Sequence, residues 1–310
     1  MTEPDVRRSD AENAALMREI EKTIPPMDIS DAGRFLLEAK QVFDAHGVIF
    51  FLRQGTALGA VRDGALIPWD DDLDLGSIVG LHGFDESMID PVVESFRGID
   101  CYVEVHPEGL YTSVKIMKYR IRIDWQCYRA VEGTIAHYPG VPFPVRLFER
   151  LDDASIDGVT YRVPSPAHEY LEFKYGADWR TPKQVGYEKD VIDNMPPGTV
   201  PGRPGRLRQL FLTYLVPGRA ARLIVLDEAG RPVPGATVRV AGLGRSRANR
   251  RGVARFYLPG ADDYALVVTA NGTEEVLYEE ELEPGRTYVY RADPSQTAGR
   301  YYALTELAGD

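Results

Sequence analysis

VIFFLRQGTALGAVRDGALIPWDDDLDLGSI, residues 48–78, is the stretch on which the reading of this chain turns. Residues 48–52 are an apolar run of strand composition. They lead through Arg53 and Gln54 into Gly55 and Thr56, and residues 56–62, TALGAVR, have the composition of a short helix. A glycine at this turn lets the backbone approach a ligand closely. The free N–H groups at the helix start and the Thr56 hydroxyl are suited to phosphate oxygens. Ile67, Pro68 and Trp69 then introduce Asp70-Asp71-Asp72-Leu73-Asp74-Leu75, an acidic cluster that turns into an alternating strand. Side chains at i and i+2 share a face of a strand, so Asp72 and Asp74 project together while Leu73 and Leu75 point into the core. Paired carboxylates repel unless a cation lies between them, and hard oxygen ligands with room for water and phosphates suit Mg²⁺ or Mn²⁺. Taken alone, the same residues also read as an exposed acidic turn.

A third carboxylate is expected from residues 120–126, RIRIDWQ. Ile121, Ile123 and Trp125 form an apolar face, so Asp124 faces the other way with Arg122 and Gln126. Aspartate has poor strand propensity, which favours a functional role here. The set fits phosphoryl transfer, which asks of a protein metal sites, phosphate donors and a group to orient or deprotonate the acceptor. Asp72 and Asp74 would hold the metal, with Asp70 assisting, and Asp124 would complete the site. Gln54, Gly55, Thr56, Arg62 and Lys115 are the candidate nucleotide and phosphate contacts. Lys115 alternates with apolar residues in a strand pattern, which a solvated strand face would also explain.

RQGTALGAVRDGALIPWDDDLDLG closely resembles the signature of the LicD/fukutin-related phosphotransferase family. A later block resembles the ending of the same family: Val163-Pro164-Ser165-Pro166, Tyr170-Leu171-Glu172-Phe173-Lys174-Tyr175-Gly176 and Trp179-Arg180-Thr181-Pro182. Together the two cover roughly residues 30–185. The resemblance implies an α+β nucleotidyltransferase-fold catalytic domain, a mixed sheet flanked by helices. It also implies that Gly55 and Thr56 help bind the nucleotide, that Asp72 and Asp74 ligate magnesium, and that Asp124 is the aspartate of the family's later strand. By this similarity the enzyme moves a phospho-alcohol, phosphocholine-like or polyol-phosphate-like, from a CDP-activated donor to a hydroxyl of a glycan or cell-surface polymer. Two alternatives are a nucleotidyltransferase moving NMP from an NTP to a small acceptor, and a non-enzymatic binding protein. The five histidines, His46, His82, His106, His137 and His168, are scattered and give no zinc pattern.

The 310 residues fit two domains, and 44% hydrophobic content supplies both with core. A net charge of −11 disfavours wrapping of nucleic acid. The N-terminal sequence lacks the apolar stretch of a secretory signal and no run is long enough to span a bilayer, so a cytoplasmic protein is expected. Cys101 and Cys127 are expected as buried thiols. Residues 1–28 read as a helical extension, 29–195 as the catalytic domain, and 196–218 as a linker opening on the Pro/Gly cluster PPGTVPGRPG. Residues 219–310 have an all-β pattern that resembles a carboxypeptidase regulatory-like, transthyretin-like β-sandwich. Its expected core is Leu223, Val225, Ala236, Val238, Val240, Val253, Phe256, Leu258, Leu266 and Val268. The acidic run Glu279 to Glu281 is expected as a solvated strand end, and Arg245, Arg247, Arg250 and Arg251 as a basic patch.

Overall fold

The computed structural model describes residues 9–195, 206–216, 218–293, 295 and 299–307. The Pro/Gly run expected as a linker lies outside the described residues, as do the first eight residues. Two compact units form, residues 1–135 with 143–171, and residues 136–142 with 172–310. Among the described residues no helix is long and apolar enough to cross a membrane.

The first unit opens with α1 (Asp10–Thr23), whose start is fixed by a capping box between Ser9 and Glu12. Asp28 caps α2 (Ile29–Ala45), which buries Phe35, Leu36, Ala39 and Phe43, the face expected from their spacing. There follow β1 (Phe51–Leu52), α3 (Gln54–Arg62), β2 (Asp72–Ile78), α4 (Ile89–Gly98), β3 (Tyr102–Pro107), β4 (Tyr111–Lys118) and β5 (Ile121–Tyr128). The strands make one mixed sheet in the order β1-β2-β5-β4-β3. Only β2 and β5 run parallel, and they pair Asp72 with Arg122 and Asp74 with Asp124.

Strand alternation sorts this sheet into two chemically different faces. Leu73, Leu75, Ile123 and Trp125 are buried on one face. There the Phe43 ring of α2 sits 4.9 Å from Trp125 and 5.4 Å from Phe96 of α4. The other face carries Asp72, Asp74, Arg122, Asp124 and Lys115. Part of it is covered by α1, whose Leu16, Met17 and Ile20 pack on Met117 and Tyr102. Gly76 has a steric cause, because a β-carbon there would come within 2.6 Å of the Phe51 ring. Cys101 and Cys127 are free and buried, as their composition suggested. Then come β6 (Thr134–His137), β7 (Val141–Pro144), the antiparallel pair β8 (Leu151–Ile156) and β9 (Val159–Pro164), and α5 (Ala167–Tyr175), of which residues 136–142 and 172–175 belong to the second unit.

Among the described residues from 176 onward, the second unit carries α6 (Tyr187–Asp193), α7 (Arg206–Leu215) and nine strands. They are β10 (Ala220–Leu226), β11 (Thr237–Val240), β12 (Gly244–Arg247), β13 (Val253–Tyr257), β14 (Asp262–Ala270), β15 (Thr273–Leu282), β16 (Thr287–Arg291), β17 (Arg300–Tyr301) and β18 (Thr305–Glu306). They form two sheets, β13-β10-β16-β18 and β12-β11-β14-β15-β17, which share one apolar core. Of the expected core residues, all but Val253 lie in it. Ala254 takes the inward position instead, because it shares a strand face with Phe256.

Two further departures from expectation have plain causes. Residues 172–195, read with the catalytic domain, cluster with the C-terminal unit. The reason is that β14 is apolar on both faces: Leu266 and Val268 enter the shared core, while Ala265 and Val267 receive Val191 and Ile192 of α6. Glu280, expected on a solvated strand end, is buried and accepts hydrogen bonds from Ala303 N at 2.7 Å and Leu304 N at 2.9 Å. Burial pushes its carboxyl up to about 7 against those two bonds.

Candidate active site

The site grows from the register of β2 and β5. Because the two strands run parallel with Asp74 opposite Asp124, both carboxylates fall on the polar face of the sheet. On the far side of β5, β4 places Lys115 opposite Asp124. Arg122 lies among the acids, paired with Asp72 and 3.5 Å from Asp71 and 3.6 Å from Asp124. Glu21, at the end of α1, reaches Lys115 at 2.6 Å and Arg122 at 3.8 Å.

Arg53 anchors the loop between β1 and α3 beneath these groups. Its guanidinium is almost fully buried, pairs with Asp74 at 2.8 Å, and donates to Leu75 O at 2.9 Å and Asp124 O at 3.3 Å. It therefore ties β2 to β5 at the level of the two carboxylates. Burial opposes its charge, but Asp74 and the neighbouring acids outweigh that and raise its pKa further. Gln54 follows in a left-handed conformation, φ 47°, which is uncommon for a residue with a side chain. Two bonds hold it: its backbone N–H donates to the Tyr170 hydroxyl at 3.0 Å, and its side-chain amide donates to Asp74 at 3.0 Å.

The expectations for the glycine turn are refined by these contacts. Gly55 is the second residue of α3, and a β-carbon there would lie 2.2 Å from Asp70 Oδ2. The glycine thus makes room for a carboxylate of the acidic cluster. Thr56 is buried, and its hydroxyl accepts from Asp74 N at 2.8 Å, so it fixes the start of β2. Arg62 sits at the opposite end of α3 and pairs with Asp63 at 2.7 Å, which keeps it out of the cluster.

Four aspartates differ in their environments. Burial pushes the Asp70 carboxyl well up, with repulsion from Asp72, Asp71 and Asp74 adding to it. Burial and repulsion from Asp72 push Asp71 up to about 7, although Arg122 opposes them. Asp72 is raised by burial and by Asp124, again against Arg122. Asp124 goes the other way: burial works against its charge, but Arg122, Lys115 and Arg53 hold its carboxyl below the usual range. The result is an acidic cluster whose carboxyls resist ionisation beside one aspartate that is held in its charged form.

Asp70, Asp71 and Asp72 each place a carboxylate oxygen within 4.8 Å of the others. Three hard oxygen donors at this spacing fit a small divalent cation. Asp124 Oδ1, buried with no hydrogen-bond partner among the described residues, is a further oxygen on the same face. Asp74 stands apart from the three, with its Oδ1 shared by Arg53 and Gln54. Sequence reasoning therefore gathered Asp70, Asp72, Asp74, Asp124 and Lys115 onto one surface. It overlooked Asp71, Arg53, Glu21 and Tyr170, and it set Arg122 on the strand face of Asp124 without giving it a role. Arg53 adjoins the quoted glycine turn. Nothing in the pattern of α1 singles out Glu21.

Residues 47–166 match the LicD/FKTN/FKRP nucleotidyltransferase domain. That segment contains every residue of the candidate site except Glu21 and Tyr170. Over 143 residues the chain is 29% identical to ribitol 5-phosphate transferase FKRP of Homo sapiens, an alignment covering 44% of this chain and 29% of that protein. FKRP of Mus musculus aligns with the same figures. The chain thus spans less than a third of the length of these curated relatives.

Proposed function

We propose that the chain is a phosphotransferase of the LicD type, moving a phospho-alcohol from a CDP-activated donor to a hydroxyl of a glycan or polymer. The observation that carries this reading is the parallel register of β2 and β5, which brings Asp72, Asp74 and Asp124 together beside Asp70 and Asp71. Its support from similarity is the match of residues 47–166 and the likeness to proteins named ribitol 5-phosphate transferases. On this reading the first unit has the nucleotidyltransferase fold. The C-terminal unit is a carboxypeptidase regulatory-like β-sandwich, supported by its two sheets around one core.

Asp70, Asp71 and Asp72 would hold Mg²⁺ or Mn²⁺, with Asp124 and Asp74 adjoining. When bound, the metal neutralises charge on the donor diphosphate and on the transferring phosphoryl group. Asp124, kept ionised by Arg122, Lys115 and Arg53, accepts a hydrogen bond from the acceptor hydroxyl and orients its oxygen toward phosphorus. Lys115 and the start of α3 at Gly55 face the phosphates. Arg53 and Gln54 hold Asp74 in place, and the Tyr170 hydroxyl supports the strained Gln54 backbone. A new bond forms between the acceptor oxygen and the phosphorus bearing the alcohol, the bond to CMP breaks, and the hydroxyl proton leaves through Asp124.

The test is incubation of the full chain and Mg²⁺ with a panel of CDP-alcohols, CTP and other nucleotides, with EDTA as control. CMP release from one CDP-alcohol, abolished by EDTA, is the expected result and names the donor. Pyrophosphate from a triphosphate would replace this reading with nucleotidyl transfer, and tight nucleotide binding without turnover on any acceptor would leave a binding protein.

A further inference from the structure

The helix α7 has its amphipathicity reversed. Leu207, Leu210, Phe211, Tyr214 and Leu215 recur at the i, i+3, i+4, i+7, i+8 spacing of a single helical face, the pattern that normally seeks a core. Yet all five point outward, between 53 and 83% exposed among the described residues. The polar side faces the protein instead. Gln209 Nε2 donates to Leu243 O at 2.8 Å, Thr213 is buried with its hydroxyl bonded to Gln209 O, and the helix packs on β10 and β13. Scattered exposed apolar residues are ordinary, but a contiguous helical stripe marks a binding surface.

Charge says what the surface binds. From residue 194 to residue 226 the sequence has five arginines, Arg203, Arg206, Arg208, Arg219 and Arg222, and no aspartate or glutamate, in a chain whose net charge is −11. Arg208 on the helix and Arg219 and Arg222 just beyond it are exposed. An apolar stripe bordered by arginine, on an otherwise acidic protein, complements an anionic bilayer, which offers negative headgroups and an apolar interior in one plane. The geometry points to α7 as an interfacial helix that seats the protein on an anionic lipid surface, its five apolar side chains entering the headgroup boundary. This docking surface belongs to the second unit and does not depend on the reaction proposed for the carboxylate site.

The full chain should co-sediment with phosphatidylcholine vesicles containing about a third phosphatidylglycerol and stay in solution with pure phosphatidylcholine. Raising NaCl from about 0.1 to 0.5 M should weaken the binding severalfold by screening the arginines. Leu210→Ser combined with Phe211→Ser should lower vesicle affinity at least about tenfold, because each removes apolar surface from the inserted face. Arg208→Glu should lower it severalfold. All three positions are exposed, so the thermal unfolding of the variants should match the parent. Absence of binding to the anionic vesicles, or equal binding by the double serine variant, would overturn the proposal. So would concentration-dependent self-association that the double variant abolishes, since the stripe would then be an interface between copies.

Discussion

Replacing Arg53 with methionine tests the electrostatic design of the site. The parent guanidinium is 2% exposed and serves three acceptors: the Asp74 carboxylate, Leu75 O and Asp124 O. Methionine keeps much of the volume and removes all three interactions, leaving Asp74 buried beside Asp72 and Asp124. Breaking a buried ion pair from one side costs about 3–5 kcal/mol, because the remaining charge loses compensation it cannot recover from water. With a urea m-value of about 2 kcal/mol/M, the midpoint for the first unit should fall by roughly 2 M. In a background carrying Trp179→Phe, which removes the tryptophan of the second unit, Trp125 reports on the first, since its ring is fully buried and its indole donates to Ser77 Oγ at 3.1 Å, whereas far-UV circular dichroism follows the whole chain. Two compact units make one global transition a poor assumption, so the fluorescence transition is the one to fit. Arg53→Lys should fall between parent and methionine variant, keeping the charge but losing the fork that spans Asp74 and two carbonyls. A loss below about 1 kcal/mol in Arg53→Met would place Arg53 and Asp74 among screened surface pairs and refute the buried clamp.

Asp70→Asn and Asp72→Asn should each reduce Mg²⁺-dependent CMP release at least about a hundredfold. Asp74→Asn should also destabilise the first unit, because it strands the buried Arg53 charge, and urea unfolding in EDTA would separate that effect from lost catalysis. Gly55→Ala should displace the Asp70 carboxylate and lower activity at least about tenfold; adding Asp70→Ala should recover thermal stability without recovering activity, since the clash is with that side chain. Glu21→Gln should raise the donor KM severalfold with a small change in stability, roughly 1 kcal/mol or less, because its contact with Lys115 is partly solvated. For Glu280, the folded pKa of about 7 lies above the ordinary glutamate value of 4.5, so the native state binds the extra proton. Stability of the second unit should therefore decline as pH rises from the unfolded value toward 7 and level off above it, a loss of about 3 kcal/mol that Glu280→Gln should remove. Urea unfolding of the two proteins at matched pH values would show diverging midpoints; parallel curves would place Glu280 in a wetter setting.

The legible part of the site was the part written as strand alternation. Parity along a strand is local, so Asp72 and Asp74 could be assigned to one face of their strand and Asp124 to the polar face of its own, with the hydrophobic partners Leu73, Leu75, Ile123 and Trp125 fixing that parity. What parity cannot reveal is the neighbour across the sheet, so the pairing of Asp72 with Arg122 and of Lys115 with Glu21 emerged only with the register and the placement of α1. Thr56 shows a different limit. Its hydroxyl suited a phosphate in isolation, yet the nearest claimant was the backbone of Asp74, eighteen residues on. In the second unit the core was legible from alternation except at Val253, which lies three residues from Phe256 and so falls on the opposite face of β13. Residues 172–195 were misallocated because the outer face of β14 is as apolar as the inner one, and a sequence does not say which of two sheets a short helix will cover.

The contact between Tyr170 and Gln54 carries a practical consequence for anyone who would trim this protein to its recognisable segment. Cutting at residues 47 and 166, where the family match begins and ends, discards the hydroxyl that supports the strained Gln54 backbone. It also discards Met17, Ile20 and Glu21 of α1, and with them the cover over Met117 and the carboxylate facing Lys115. The shortest piece able to keep its active surface in shape therefore starts before α1 and runs at least through Tyr170, and similarity to a family marks out less polypeptide than folding requires.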